Sequence, residues 1–136
     1  MGCVLGVRVR GTLQMTQIVT RLPSRGEIWW ANLPTDPPQK GRRPVIVVSP
    51  DGRNHHPRSN SVLVVPLSTS VHALRPAHLL LRMGETGLAA DSAAQADNIT
   101  TVRRESLSEP GAQQRKLSHG KVCELATLVR TAMGCL

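Results

Sequence analysis

Phenylalanine and tyrosine are missing from this sequence altogether, and its only aromatic side chains are Trp29 and Trp30, side by side. Any core must therefore be filled by Val, Leu, Ile and Ala. Cysteine is nearly as scarce. Cys3, Cys123 and Cys135 are odd in number and show no C-x-x-C spacing, which argues against a disulfide scaffold or a zinc knuckle and fits a reducing compartment. No apolar run approaches the roughly 20 residues of a membrane span. The opening "MGCVLGVRVRG" is broken by Arg8 and Arg10, unlike a signal peptide, and Gly6 stands where a myristoylation signal needs Ser or Thr. These absences point to a cytoplasmic protein with no membrane partner. There is also no P-loop, no G-x-G-x-x-G, no G-x-S-x-G and no H-E-x-x-H, which disfavours nucleotide hydrolysis and the hydrolase fold. His55 and His56 are adjacent, so an extended backbone sends them to opposite faces, and His72, His78 and His119 are scattered. No metal site and no cofactor are expected.

What is present is a strong positive balance. The 136 residues hold 17 basic and 9 acidic side chains, a formal charge of +8. Residues 1–58 carry 9 basic and 3 acidic groups, against 8 and 6 in residues 59–136. Fourteen of the cations are Arg, whose planar fork suits phosphate. A basic half suits a polyanion or an acidic protein partner. A solvated Arg-rich surface would give the same count, so charge alone does not choose.

The length allows one domain with one modest core. Residues 1–23 are weakly patterned, with a second methionine at Met15, and read as an N-terminal extension, either flexible or an over-long start; residues 24–136 read as the domain. "RGEIWWANL" (25–33) reads as a strand ended by Pro34, and "PTDPPQKG" (34–41) as a loop. "PVIVVSP" (44–50) is a continuous apolar run expected of a strand covered on both faces. "DGRNHHPRSN" (51–60) reads as a polar loop, and "SVLVVPLSTS" (61–70) as a buried strand with Pro66 at an edge or bulge. "AHLLLRM" (77–83) reads as a strand and "GETGLAADS" (84–92) as a turn-rich link; "AAQADNITTV" (93–102) reads as one bent strand or two short ones. Val122, Leu125, Ala126, Val129, Ala132 and Met133 recur at helical spacing, closed by Gly134. The expected fold is mainly β: a small antiparallel barrel with a C-terminal helix.

Two clusters carry candidate chemistry. In "KGRRPVIVV" (40–48), three cations sit at the mouth of a buried strand. Arg43 precedes a proline, which biases it toward extended geometry, and a rigid strand end holds a guanidinium well enough to clamp a phosphate. Ser68, Thr69 and Ser70 close the next buried strand; such hydroxyls can donate to phosphate oxygens or simply satisfy turn backbone. Trp29 and Trp30 alternate faces, one in the core and the other free to stack on a base or pack in an interface.

Taken in order, "RGEIWWANLP", "GRRPVIVVSPDGRN", "SVLVVPLSTS", "DSAAQADNITTVRRESL" and "KLSHGKVCELATLVRTAMG" resemble the MazF/PemK family of toxin endoribonucleases over residues 24–135. The resemblance implies an SH3-like barrel, a homodimer, and metal-independent cleavage of single-stranded RNA at short sequences. It implies a cognate antitoxin whose acidic, disordered tail covers the RNA groove, and operator DNA bound only together with that antitoxin. It places the catalytic residues on Arg43 and Ser68. Lys40, Arg42, Arg53, Thr69, Ser70 and Gln95 fall in the implied RNA-binding set. Many members carry a His or Glu in the first loop where this chain has Pro37, Pro38 and Gln39, and Thr100 stands where many have Arg. The general base is therefore open between Asp97, which matches an Asp used in some members, and Asp36. A second reading is a toxin-like barrel that binds antitoxin or nucleic acid with little or no turnover.

Overall fold

The computed structural model describes residues 21–135. Most of the expected N-terminal extension lies outside the described residues. Two of its last three residues are tied down: Arg21 bonds Glu27 at 2.8 Å and lies 5.1 Å from the centre of the Trp29 ring, and the Pro23 carbonyl meets His55 Nε2 at 2.9 Å.

Six antiparallel strands form: β1 (Ile28–Ala31), β2 (Arg43–Val47), β3 (Ser61–Ser68), β4 (His78–Leu81), β5 (Ser92–Gln95) and β6 (Thr100–Arg103). The order is β1-β2-β3-β5-β4, with β6 also on β3. The eight-residue β3 is the axis. Its first half pairs with β6, from Ser61↔Arg103 to Val64↔Thr100, and its end pairs with β5 at Leu67↔Ala94 and Ser68↔Ala93. Pro66 falls between those two stretches, where the strand changes partner and no ladder bond is lost to its missing N–H. The sheet does not close into a complete barrel. Among the described residues, a single isolated β-bridge, Trp30↔Ser108, pairs β1 with the chain beyond β6.

The period of two explains the continuous apolar runs. Ile28, Ile46, Val65 and Leu67 face one cluster, which Leu81, Ala94, Val122 and Leu125 complete. Trp29, Val45, Val47, Val62 and Val64 face the other, with Leu33, Val102 and Leu107. Both faces of β2 and β3 are thus covered, as their patterning predicts. Trp29 is buried and Trp30 half-buried, so the pair does alternate.

Two short helices join strands, α1 (Asp51–Asn54) and α2 (Met83–Thr86), and the long α3 (His119–Ala132) follows the last strand. The polar stretch after β2 and the turn-rich link after β4 each hold one helical turn where the sequence suggests only loop. α3 is capped by Ser118, whose hydroxyl accepts from the Lys121 amide. It lays Val122 and Leu125 on the sheet, whereas Ala126, Ala132 and Met133 at the same helical spacing are exposed. Gly87 ends α2 at φ +75, and a Cβ there would stand 1.7 Å from the Gln113 carbonyl oxygen. No other residue fits that position.

Candidate active site

Arg43 opens β2, just past the 3-10 turn Pro38–Lys40. Its guanidinium is fully engaged. Nε and Nη2 donate to the Leu67 carbonyl at 3.3 and 2.9 Å, Nη1 to both Asp36 oxygens at 3.2 and 3.3 Å, and Nη2 to Gln95 Oε1 at 3.1 Å. One side chain therefore ties the first loop, the end of β3 and the end of β5 together. The side chains of Arg43 and Asp36 are each 12% exposed, so the ion pair is largely shielded from water yet reachable.

Ser68 follows Leu67 at the end of β3 and is half-buried; its Oγ accepts from the Ser70 amide at 3.1 Å. The hydroxyl thus satisfies a turn while keeping its own proton available for donation. Thr69 and Ser70 are exposed in that turn. Gln95 Oε1 also accepts from Asn98 Nδ2 at 3.2 Å. The structure therefore gathers Arg43, Ser68, Ser70, Gln95 and Asp36 at one end of the sheet.

Asp97 sits next to this group in the turn Ala96–Asn98, and its carboxylate lies 3.1 Å from Nε2 of His78. His78 is the residue that sequence reasoning missed. It stands directly opposite Gln95 in the β4–β5 ladder, on the same face. Its Nδ1 accepts from the Arg75 amide at 3.3 Å, which leaves Nε2 as the N–H donor to Asp97. Ser70, Arg75, His78, Gln95, Asp97 and Asn98 line a concavity of about 270 Å³. The available signal was cross-strand register, since His78 and Gln95 become neighbours only once β4 and β5 are paired.

Arg42 and Arg53 are engaged away from this cluster. Arg42 Nη1 donates to the carbonyls of Trp30 and Ser106 at 3.2 and 3.1 Å, lacing the open seam of the sheet. Lys40 is exposed at the end of its 3-10 turn. Arg53 lies on α1 and donates to Ser61 Oγ at 3.0 Å, at the opposite end of β3 from Ser68. Seven strand steps separate those ends, about 23 Å. Among the described residues no three His, Cys, Asp or Glu side chains gather closely enough to hold a metal.

The profile of the family described as "PemK-like, MazF-like toxin of type II toxin-antitoxin system" matches residues 24–133. The chain belongs to this family. Relatives include the endoribonuclease MazF9 of Mycobacterium tuberculosis, 34% identical over a 93-residue alignment that covers 63% of this chain and 77% of MazF9. The endoribonuclease MazF6 of the same species is 31% identical over 88 residues, again 63% and 77% of the two chains. Among solved structures, an endoribonuclease in complex with its cognate antitoxin from a mycobacterial species superposes with a TM-score of 0.64 at 23% identity, covering 84% of this chain and 97% of that one. MazF of Deinococcus radiodurans does so with 0.64 at 18% identity, covering 85% and 99%. At these identities the solved structures speak for the fold, and the MazF-like fold is the one described above.

Proposed function

We propose that this chain is the toxin endoribonuclease of a type II toxin–antitoxin pair, and that it cleaves single-stranded RNA at short sequences without a metal. The observation that carries this reading is the Arg43 guanidinium, fixed between Asp36, Gln95 and the carbonyl of Leu67, the residue just before Ser68. The curated relatives named endoribonuclease MazF support it. RNA brings its own nucleophile, the 2′-OH beside each scissile phosphate, so no metal-bound water is needed. The 2′ oxygen attacks phosphorus as its proton passes to a carboxylate; the O2′–P bond forms, the P–O5′ bond breaks, and O5′ takes a proton from water. The products are a 2′,3′-cyclic phosphate and a 5′-hydroxyl. Arg43 stabilises the added negative charge, and Ser68 donates a hydrogen bond to a non-bridging oxygen. An arginine is always protonated and cannot be the base. Asp36 is held by Arg43 as its counter-ion, which leaves Asp97 as the proton acceptor.

In this reading the toxin is a cytoplasmic homodimer. It is neutralised by an antitoxin whose acidic tail competes with RNA for the cationic site, and it meets operator DNA only together with that antitoxin. The test is incubation of purified protein with a long RNA in EDTA. Wild type produces cyclic-phosphate ends, and Arg43→Ala lowers the rate on the order of a hundredfold or more while remaining folded. Intact RNA with the wild type across varied sequences would sink the proposal. A second reading, a toxin-like domain that binds without turnover, draws on Asp36 already occupying the guanidinium. Induced expression separates the two: growth arrest belongs to the nuclease, unimpaired growth to the binder.

A further inference from the structure

We propose that His78 is a positioning residue that fixes the Asp97 carboxylate in the orientation in which it accepts the 2′-OH proton; this rests on the cleavage reading above. Neither ring nitrogen of His78 is free to act as a base. Nδ1 receives the Arg75 amide and Nε2–H points to Asp97 Oδ1. The ring is therefore a rigid spacer between the turn that precedes β4 and the turn that follows β5. Its side chain is only 9% exposed, whereas that of Asp97 is 29% exposed. The donor is thus shielded from water and the acceptor keeps an edge open to the concavity. A hydrogen bond to Oδ1 leaves Oδ2 as the free oxygen, aimed by the bond on its twin.

The ladder links this pair to Arg43. His78 is opposite Gln95, Gln95 bonds Arg43, and Asp97 follows Gln95 by two residues. A shift of the Asp97 turn therefore displaces the acceptor relative to the phosphate clamp, and misplacement by about 1 Å can cost around a hundredfold in rate. The arrangement also supplies what the first loop lacks, since Pro37, Pro38 and Gln39 offer no titratable group. The proton-handling group has moved to the β4–β5 end of the same site.

Two substitutions separate this role from a purely structural staple. His78→Gln can reach Asp97 with an amide N–H but loses the bond from Arg75. His78→Asn can accept from Arg75 but falls short of Asp97. Single-turnover cleavage of a defined RNA in EDTA is expected to show kcat lowered about ten- to hundredfold in His78→Asn with KM nearly unchanged, and substantially restored in His78→Gln. Equal activities, or an order that follows melting temperature rather than the Asp97 contact, would overturn it. A readout that needs no turnover is the tautomer of His78 in ¹⁵N-histidine-labelled protein: Nε2–H is expected, and an Nδ1–H ring would overturn the proposal. Active wild type, dead Arg43→Ala and a fully active His78→Asn would refute this inference alone. Inactive wild type would bring down the cleavage reading and this one with it.

Discussion

Arg43 spends every donor nitrogen on the protein itself, and in the function proposed above Asp36 holds the place that a phosphodiester would take. Asp36→Asn keeps the loop polar but removes the competing charge. RNA binding to this variant is expected to tighten several-fold, read as a lower KM, with cleavage retained. Asp97→Asn is expected to lose about a hundredfold or more in kcat, as befits loss of a proton acceptor. If Asp36→Asn were the dead variant and Asp97→Asn the active one, the two roles would be exchanged. At this scale the sequence was partly legible. Arg43 stood out because a proline and an apolar run fixed it at a strand mouth, and Ser68 because it closed the next run. Arg53 lies ten residues after Arg43, and β2 carries the chain to the far end of the sheet before Arg53 is reached. His78 gave no linear signal, because its partners Gln95 and Asp97 are distant in sequence.

The motif Ser-Pro-Asp-Gly-Arg-Asn, residues 49–54, has a structural task. Asn54 is fully buried and donates to the Ser49 carbonyl at 2.8 Å and to Asp51 Oδ1 at 3.0 Å, while Ser49 Oγ accepts from the Leu63 amide at 3.1 Å. This network fastens α1 to both β2 and β3. Replacing Asn54 with Ala strands buried partners and is expected to cost on the order of 2 kcal/mol, a fall in Tm of roughly 5–10 °C, with RNA cleavage per folded molecule unchanged. Two acids tie loop to strand in the same region. Burial raises the pKa of Glu27, but hydrogen bonds from Arg21, Trp29 and the Ser24 amide outweigh it and hold the carboxyl below its ordinary value. Burial also raises that of Asp51, outweighed by the Arg25 amide, Asn54 and the charges of His55 and Lys116. Folded values below unfolded ones mean stability that is complete above the unfolded pKa and lost as pH falls through the folded one. Tm is therefore expected to be level from pH 7 to about 5 and to drop below about pH 4, less steeply in Asp51→Asn. A Tm that rose on acidification would contradict this.

For the molecule as a whole, four strands, a fifth stretch left open between one bent strand and the two that form, and the terminal helix were readable, because strand patterning and turn residues agree locally. Closure was not. Whether β1 meets the far strand depends on twist and on the segment 104–117, and the result is a seam held by one bridge and Arg42 rather than a finished barrel. The extent of the helix face was also hidden, since periodicity names a stripe but not how far the sheet beneath it reaches. The net charge of +8 belongs to this scale. Affinity for single-stranded RNA is expected to fall steeply and linearly in log–log terms between about 50 and 200 mM salt, a loss that a chiefly apolar contact would not show. β3 finally sets a constraint on the protein's future variants. It carries the Leu67 carbonyl at one end, the anchor of α1 at the other, and alternate side chains of both apolar clusters between them. A frame slip of one residue would swap inside for outside along its length and withdraw the oxygen that Arg43 grips. Changes along this strand therefore alter folding and toxicity together, and escape mutants that keep a sound fold should arise elsewhere.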